Sequence, residues 1–235
     1  DENLHVLERK RVVTPQNNYD EIINTIETLV LDVSKNISDF SLGICCPGAL
    51  SKQTGLIKNS NTQCLIGKSL KKDLENKLEK NISIENDANC FTLSESKMGA
   101  GIGFDLVFGV ILGTGVGGGI VINNILHCGR TNIAGEWGHN PLPWPSAEEM
   151  QVAPCWCGQV GCQETWISGT GFARDHAFAY GGELSALQIV HAMRSGDKDA
   201  SQSFDRFLNR LGRALAQVVN LLDPDCIVLG GGMSN

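Results

Sequence analysis

The chain has little positive charge and no run of more than three basic residues. Its 19 lysines and arginines stand against 26 aspartates and glutamates, which gives a formal net charge of −7. Charge-driven binding to a nucleic-acid backbone requires a basic patch. The composition therefore argues against nucleic acid as a partner.

Long hydrophobic runs are also absent. The apolar segments, such as residues 107–112, are far shorter than the ~20 residues that a membrane-spanning helix needs. The chain begins Asp1-Glu2-Asn3, without the basic and apolar regions of a secretory signal. Because 42% of the residues are hydrophobic, we expect a soluble, folded protein of one or two domains with no membrane partner.

The cysteines lack the pattern of a disulfide framework. There are nine of them, an odd number, and most are adjacent pairs or single residues in apolar runs, as at Cys45, Cys46 and Cys226. Buried single thiols of this kind behave as small hydrophobic groups. We therefore expect a reducing, cytoplasmic location.

Strands and helices alternate along the chain, which is typical of an α/β fold. In the first half, the pattern predicts strands over residues 5–14, 40–46 and 82–84 and helices over residues 19–33 and 70–78. In the second half, it predicts a buried strand over residues 106–112, a glycine run over 113–119, a strand over 120–122, a tight turn at Asn123-Asn124, an irregular stretch over 129–161, a long helix over 204–222 that Pro224 stops, and a last strand over 225–229.

Three cysteines and a histidine within the irregular stretch have the spacing of a metal site. Cys155, Cys157 and Cys162 cluster around two glycines, and His139 precedes them. One imidazole and three thiolates complete a tetrahedral zinc shell, which leaves no open position for water or substrate. We therefore predict a structural zinc ion, although three buried thiols and a surface histidine are the alternative.

An asparagine and an aspartate follow the short strand over residues 82–84. Asp87 can act as a general base towards a bound hydroxyl, with Asn86 hydrogen-bonding the same ligand. An aspartate between a strand and a helix can equally cap the helix. The motif alone leaves both roles open.

Two glycine runs each follow an apolar strand. The run that includes Gly113, Thr114, Gly115 and Gly117 can expose backbone N–H groups to phosphate oxygens, but no Gly-Lys-Ser/Thr sequence follows, so it is not a Walker loop. Residues 230–232 allow a similarly close approach of backbone to a ligand. Either run by itself is weak evidence.

Glu136, His139 and Glu164 offer two carboxylates and an imidazole around the cysteine cluster. If zinc holds one ring nitrogen of His139, the other nitrogen is fixed towards a polar ligand. Adjacent sugar hydroxyls would satisfy such a set. The two glutamates can also be plain solvated carboxylates.

These stretches, in the order Glu85-Asn86-Asp87-Ala88-Asn89, Leu112-Gly113-Thr114-Gly115-Val116-Gly117, Gly135-Glu136-Trp137-Gly138-His139 and Cys155-Trp156-Cys157-Gly158-Gln159-Val160-Gly161-Cys162-Gln163-Glu164, resemble the ROK family of bacterial sugar kinases. The stretch from Glu136 to Trp144 favours its fructokinase (mannokinase-type) branch. The resemblance implies an actin-like ATPase (ribonuclease H-like) fold of two α/β lobes that bind ATP and a sugar.

The resemblance also implies a role for each matched residue, with ATP, Mg²⁺ and a structural Zn²⁺ as cofactors. Asp87 would be the catalytic base. The sugar would be bound by Asn86, Asp87, Glu136, His139 and Glu164, the zinc by His139, Cys155, Cys157 and Cys162, and ATP by Gly113, Thr114, Gly115, Gly117, Gly230, Gly231 and Gly232.

By the same resemblance, the N-terminal lobe covers residues 1–101 and the C-terminal lobe residues 102–235. The family's first phosphate loop and its last helices have no counterpart, so we expect an interior fragment with little or no catalysis of its own. We expect the intact protein to phosphorylate the 6-hydroxyl of fructose, or of mannose, and to form a homodimer.

Two alternatives remain at this stage. The first is an N-acetylglucosamine kinase of the same family, over which the stretch from Glu136 to Trp144 favours the fructokinase branch. A ROK-type transcriptional repressor would share the sugar-binding and zinc residues but would not need Asp87 as a base. An isolated zinc module is disfavoured because the cluster lies inside an α/β chain.

Overall fold

A computed structural model of the protein describes residues 5–37, 39–150 and 154–234. The chain forms two compact units, Asp1–Asp87 and Ala88–Asn235. The predicted boundary between residues 101 and 102 lies later in the chain, because the helix that begins at Asp87 belongs almost entirely to the second unit.

The described part of the first unit contains two α-helices and four strands. A parallel pair of strands runs in register from Leu42 opposite Ile82 to Cys46 opposite Asn86. The elements are helix α1 (Tyr19–Val33), strands β1 (Leu42–Cys46), β2 (Ala49–Leu50) and β3 (Ile57–Lys58), helix α2 (Leu70–Leu78) and strand β4 (Ile82–Asn86). Their core consists of buried aliphatic side chains, among them Ile57, Leu70 and Leu74.

The predicted strand over residues 5–14 is wrong, because this segment is irregular in the structure. A strand needs a neighbour for its backbone N–H and C=O groups, and no described strand pairs with this segment. Its side chains interact with α1 instead, where Lys10 forms an ion pair with Asp32.

The second unit is built on a four-stranded sheet in the order β7-β6-β5-β8. Strand β8 is parallel to β5, whereas β6 is antiparallel to it. The elements are helix α3 (Asp87–Met98), strands β5 (Leu106–Leu112), β6 (Val116–Ile122) and β7 (Ile125–Leu126), helices α4 (Glu164–Ile167), α5 (Gly169–Tyr180), α6 (Ala186–Arg194) and α7 (Lys198–Leu222), and strand β8 (Cys226–Gly230). The predicted tight turn is confirmed, since Asn123 and Asn124 have φ angles of 51° and 62°.

Helix α7 packs an apolar stripe into the core that it shares with the sheet of this unit. Asp197 caps its first turn by accepting a hydrogen bond from Ala200 N. Phe207, Leu211 and Val218 are buried in one cluster with Phe108 of β5. None of the described helices, α7 included, has both the length and the apolar character needed to cross a lipid bilayer.

Candidate active site

Asp87 lies where the parallel pair β1 and β4 ends and α3 begins. The side-chain amide of Asn86 donates to Asp87 Oδ1 at 3.0 Å and to Gly48 O at 3.1 Å. Because Asp87 is the first residue of α3, the helix dipole also favours its negative charge. The strand end therefore presents an oriented carboxylate next to an amide.

The thiol next to this carboxylate is held neutral. Burial raises the pKa of Cys46 to about 11, and the negative charges of Asp87, Cys45 and Glu85 add to the rise. Cys46 therefore contributes packing at the strand end and does not act as a nucleophile near neutral pH.

The two glycine runs come together at one edge of the second unit's sheet. Ile111 is paired with Gly230, so the parallel strands β5 and β8 both end at this edge. Gly231 packs against the backbone of Leu112 so closely that any side chain there would collide with it. The convergence of these backbone segments follows from the parallel register and forms a candidate site for phosphate oxygens.

Only part of the predicted glycine loop is a loop. Residues 113–115 form the turn between β5 and β6, whereas Gly117 lies within β6. A Cβ at Gly117 would approach Ala88 Cβ to 3.0 Å. In this structure Gly117 makes room for α3 rather than exposing an N–H group in the turn.

Three groups of the segment over residues 164–170 hold this turn. Glu164 Oε2 accepts a hydrogen bond from Val116 N at 2.9 Å. Gly169 N donates to the carbonyl of Gly113 at 2.7 Å, and Thr170 Oγ1 donates to that of Thr114 at 2.8 Å. The turn is thereby connected to the segment that directly follows the cysteine cluster.

The four predicted metal ligands do converge. Their ligand atoms lie within 4.8 Å of one another, with Cys155 Sγ 3.5 Å from His139 Nδ1 and Cys157 Sγ 3.6 Å from Cys162 Sγ. Zinc bonds of about 2.0–2.3 Å at tetrahedral angles would place ligand atoms roughly 3.5–3.8 Å apart. The donor set and these two pair distances, 3.5 and 3.6 Å, fit a zinc ion.

A tight hairpin brings the cysteines to this position. Cys155 N donates to Gln159 O at 2.8 Å, and Gly158 N donates to Cys155 O at 3.0 Å. Gly158 and Gly161 have φ angles of 87° and 82°, which glycine adopts without strain. The glycines of the motif are thus required by the turn that aligns the thiols.

Crowding sets the ionisation of the three thiols in the absence of a cation. Burial, together with the neighbouring Cys157 and Cys155, raises the pKa of Cys162 to about 12. Burial raises the pKa of Cys155 as well. The pKa of Cys157 is lowered, because the Gln159 N–H and the other two thiols outweigh its burial. A cation would be needed for all three to be thiolates together.

The ring of His139 has its two nitrogens in different surroundings. Nδ1 points to Cys155 Sγ, whereas Nε2 is 3.9 Å from Glu136 Oε2. Cys155 Sγ is also 3.7 Å from Glu164 Oε1. The structure thus groups Glu136, His139 and Glu164 around the cluster as the sequence predicts.

The sequence did not single out Trp156, which contacts two of these residues. Its Nε1 donates to Glu164 Oε1 at 2.7 Å, and its ring meets that of His139 edge-on, with centroids 5.0 Å apart. Its position between two cluster cysteines was the available signal. Thr170, which follows the helix cap Ser168, carried no comparable signal.

A buried ionic group, also missed, fastens the segment ahead of the cluster to α7. Glu149 accepts hydrogen bonds from Arg210 Nε at 2.8 Å and from Arg213 Nη2 at 2.7 Å. Arg213 Nη1 donates to the carbonyls of Pro143 and Trp144, each at 2.8 Å. The only sequence signal is a pair of arginines three residues apart in a helix.

Comparison with known proteins assigns the family. The model of the ROK family matches residues 1–235. An N-acetyl-D-glucosamine kinase of Pectobacterium atrosepticum is 40% identical, and the alignment covers 100% of this chain and 79% of that protein. The chain therefore belongs to the ROK family, and its recognition as a ROK sugar kinase is confirmed.

Solved structures agree on the fold. A ROK family glucokinase from Streptomyces griseus, in complex with glucose and AMPPNP, matches with a TM-score of 0.82 and 30% identity over 100% of this chain and 78% of that one. A ROK family transcriptional regulator, 23% identical, matches with a TM-score of 0.73 over 92% of this chain and 57% of that one, which speaks for the fold alone. The predicted actin-like ATPase fold is confirmed.

Proposed function

We propose that the protein is an ATP-dependent N-acetylglucosamine kinase. The observation that carries the substrate is the 40% identity, over the whole of this chain, to a kinase of that name. The identity supports N-acetylglucosamine, the alternative considered above, better than fructose. The reaction is transfer of the γ-phosphoryl group of ATP to a sugar hydroxyl, which we expect to be the 6-hydroxyl.

In this proposal Asp87 is the general base. Its carboxylate takes the proton from the sugar hydroxyl as the oxygen attacks the γ-phosphorus, and such a base contributes about 10²- to 10⁴-fold in rate. The amide of Asn86, 3.0 Å from Asp87 Oδ1, keeps the carboxylate oriented. Asn86 also hydrogen-bonds the sugar.

The glycine turn and residues 230–232 hold the phosphates and the adenosine. Their backbone N–H groups supply hydrogen bonds, and the fixed turn supplies alignment, which is the larger part of catalysis in phosphoryl transfer. Mg²⁺, when bound with ATP, neutralises charge on the phosphate oxygens. Gly117 serves this group indirectly, by letting α3 pack against β6.

Glu136, His139 and Glu164 bind the sugar hydroxyls, and the cluster holds a structural Zn²⁺. The ion is held by His139, Cys155, Cys157 and Cys162, whose spacings support it. It orders the irregular segment and orients the imidazole. One zinc per chain, measured by elemental analysis of the purified protein, is the expected stoichiometry.

The remaining parts of the proposal are a cytoplasmic location and a homodimer. The cysteines are odd in number, nine, and scattered along the chain rather than arranged as a disulfide framework, which supports a reducing compartment. Sedimentation analysis tests the dimer.

The decisive experiment is a steady-state assay of the protein expressed from its complete gene. N-acetylglucosamine, fructose, mannose and glucose are compared by kcat/KM, and the phosphorylated carbon is identified by NMR. The variant Asp87→Asn tests the base, and Asp199→Asn, at an exposed aspartate of α7, is its matched control.

We expect N-acetylglucosamine to give the highest kcat/KM, and Asp87→Asn to lose about 10²- to 10⁴-fold in kcat. A preference for fructose would keep the mechanism and restore the fructokinase assignment. A folded protein that binds sugar but phosphorylates none of the panel would favour the regulator class.

A further inference from the structure

Glu164 links two parts of the second unit through one carboxylate. Oε1 accepts from Trp156 Nε1 at 2.7 Å, and Oε2 accepts from Val116 N at 2.9 Å. The first donor belongs to the cysteine hairpin and the second to the strand that leaves the glycine turn. Both bonds are charge-assisted, which makes them shorter and stronger than neutral ones.

The carboxylate of Glu164 is closely packed on the side that faces the glycine turn. A Cβ at Gly115 would lie 2.5 Å from Glu164 Oε2, so any side chain there would push the carboxylate away from Val116. A carboxylate has about four acceptor sites. The two N–H donors and the Cys155 thiol, 3.7 Å from Oε1, therefore leave capacity for a sugar hydroxyl.

Trp156 fixes the direction of this carboxylate from the other side. Its ring also meets His139 edge-on at 5.0 Å, so its position is set by a second residue of the sugar site. The side chain is nevertheless about half exposed, at 47%. Its indole N–H therefore donates to Glu164 even though the side chain is accessible to water.

We propose that Trp156 is a positioning residue that, through Glu164, couples occupation of the sugar site to the geometry of the glycine turn. The proposal rests on the proposed function, in which Glu164 binds the sugar and the turn binds ATP. A sugar that contacts Glu164 would restrict the orientations of its carboxylate and so favour the one in which Oε2 accepts from the Val116 amide. By linkage, the bound nucleotide would raise sugar affinity by the same factor.

Two measurements on the full-length protein test this proposal. The first is hydrogen exchange at the Val116 amide without ligand, resolved by NMR. The second is the coupling factor, which is the ratio of the dissociation constants of AMPPNP without and with saturating N-acetylglucosamine. Trp156→Phe removes the donor and keeps an aromatic ring, and Trp144→Phe, at a tryptophan 66% exposed, is the matched control.

We expect Trp156→Phe to raise exchange at Val116 by about 10-fold, since the bond to a charged acceptor is weakened. We also expect a wild-type coupling factor of at least about 5 that falls towards 1 in this variant. Zinc content and the Trp144→Phe protein should be unchanged. Gly115→Ala, which displaces the carboxylate from the turn side, should reproduce the loss of protection at Val116.

Unchanged Val116 exchange in Trp156→Phe would overturn the positioning role, and an unchanged coupling factor would overturn the coupling. If Trp156→Phe loses zinc, Gly115→Ala decides, because it does not touch the cluster. Failure of the proposed function looks different: no sugar binds to the wild type. In that case the exchange experiment still decides whether Trp156 positions the turn, and the coupling to sugar is refuted.

Discussion

The strand end at Asp87 and the loop around the cysteine cluster supply groups to the proposed chemistry in different ways. The parallel ladder of β1 and β4, from Leu42 opposite Ile82 to Cys46 opposite Asn86, places Asp87. In the cluster loop, the residues that the structure describes form two isolated bridges, Pro141 with Cys162 and Pro154 with Val160. Short turns, such as the one closed by the hydrogen bond from Gly158 N to Cys155 O, and side-chain contacts organise the rest of the loop.

The difference teaches which kind of perturbation each region withstands. A backbone ladder keeps its geometry when one side chain is changed, because its hydrogen bonds do not depend on side-chain identity. A loop that side chains hold, with a metal in our proposal, loses its geometry when one of these contacts is removed. We therefore expect the strand end and the loop to respond differently when single contacts are removed.

Removal of the metal should give the largest effect, and only in the loop. Structural zinc contributes up to about 10 kcal/mol or more to ordering its ligands. After chelation, or in Cys157→Ser, we expect fast amide exchange over residues 154–164 and no change in β1 and β4, measured by hydrogen exchange and mass spectrometry. Cys226→Ser, outside the cluster, is the control. Equal loosening of both regions would contradict the comparison.

Loss of the buried ionic group around Glu149 should give the second largest effect. Glu149→Gln removes one of the two carboxylates paired with Arg210, which is 6% exposed and keeps Asp175 2.8 Å from its Nη1. Because breaking a buried pair outright costs about 3–5 kcal/mol, we expect a loss towards the lower end of that range. Urea unfolding of the second unit should report this loss. Glu148→Gln, at an exposed neighbour, should leave the free energy of unfolding almost unchanged. Equal effects of the two variants would show that the ionic group does not stabilise the loop.

The pH dependence of stability follows from the same group. Burial raises the pKa of Glu149, but hydrogen bonds from Arg213 and Arg210 outweigh it and lower the pKa to about 2. Ionised Glu149 therefore adds to the free energy of unfolding. Its contribution, about 3 kcal/mol in total, is fully present above the unfolded pKa of about 4.3 and is lost as the pH falls towards 2. The difference in free energy of unfolding between wild type and Glu149→Gln should therefore become smaller as the pH is lowered. A constant gap down to the lowest pH would disprove it.

The smallest effect is expected in the first unit. Asn18 caps α1, with its side chain accepting from Glu21 N at 3.2 Å. Asn18→Ala should cost about 1 kcal/mol without altering the zinc content, as measured by urea unfolding and elemental analysis. Asn24→Ala, at an exposed position inside α1, is the control and should not destabilise the helix. A change in metal content would show that the regions are less independent than stated.

Periodic and local patterns predicted most of the fold correctly. The helix over residues 204–222 and its stop at Pro224 depend on a repeated apolar step and on a missing N–H, both of which are properties of the sequence itself. The strand over residues 5–14 was wrong because a strand also depends on a partner, which local alternation cannot supply. The fructokinase assignment was too narrow for a comparable reason, since pocket shape decides between similar sugars.

The candidate site divides in the same way. The sequence by itself predicted which four side chains come together in the cluster, His139, Cys155, Cys157 and Cys162, because their residue types and spacing are those of a zinc site. It also marked Asp87 at a strand end. Only the tertiary structure decided that Glu164 faces the glycine turn, that Trp156 orients it and that Glu149 is buried between two arginines. These contacts join residues far apart in the chain, and their energy depends on distance and burial, which arise only when the elements pack.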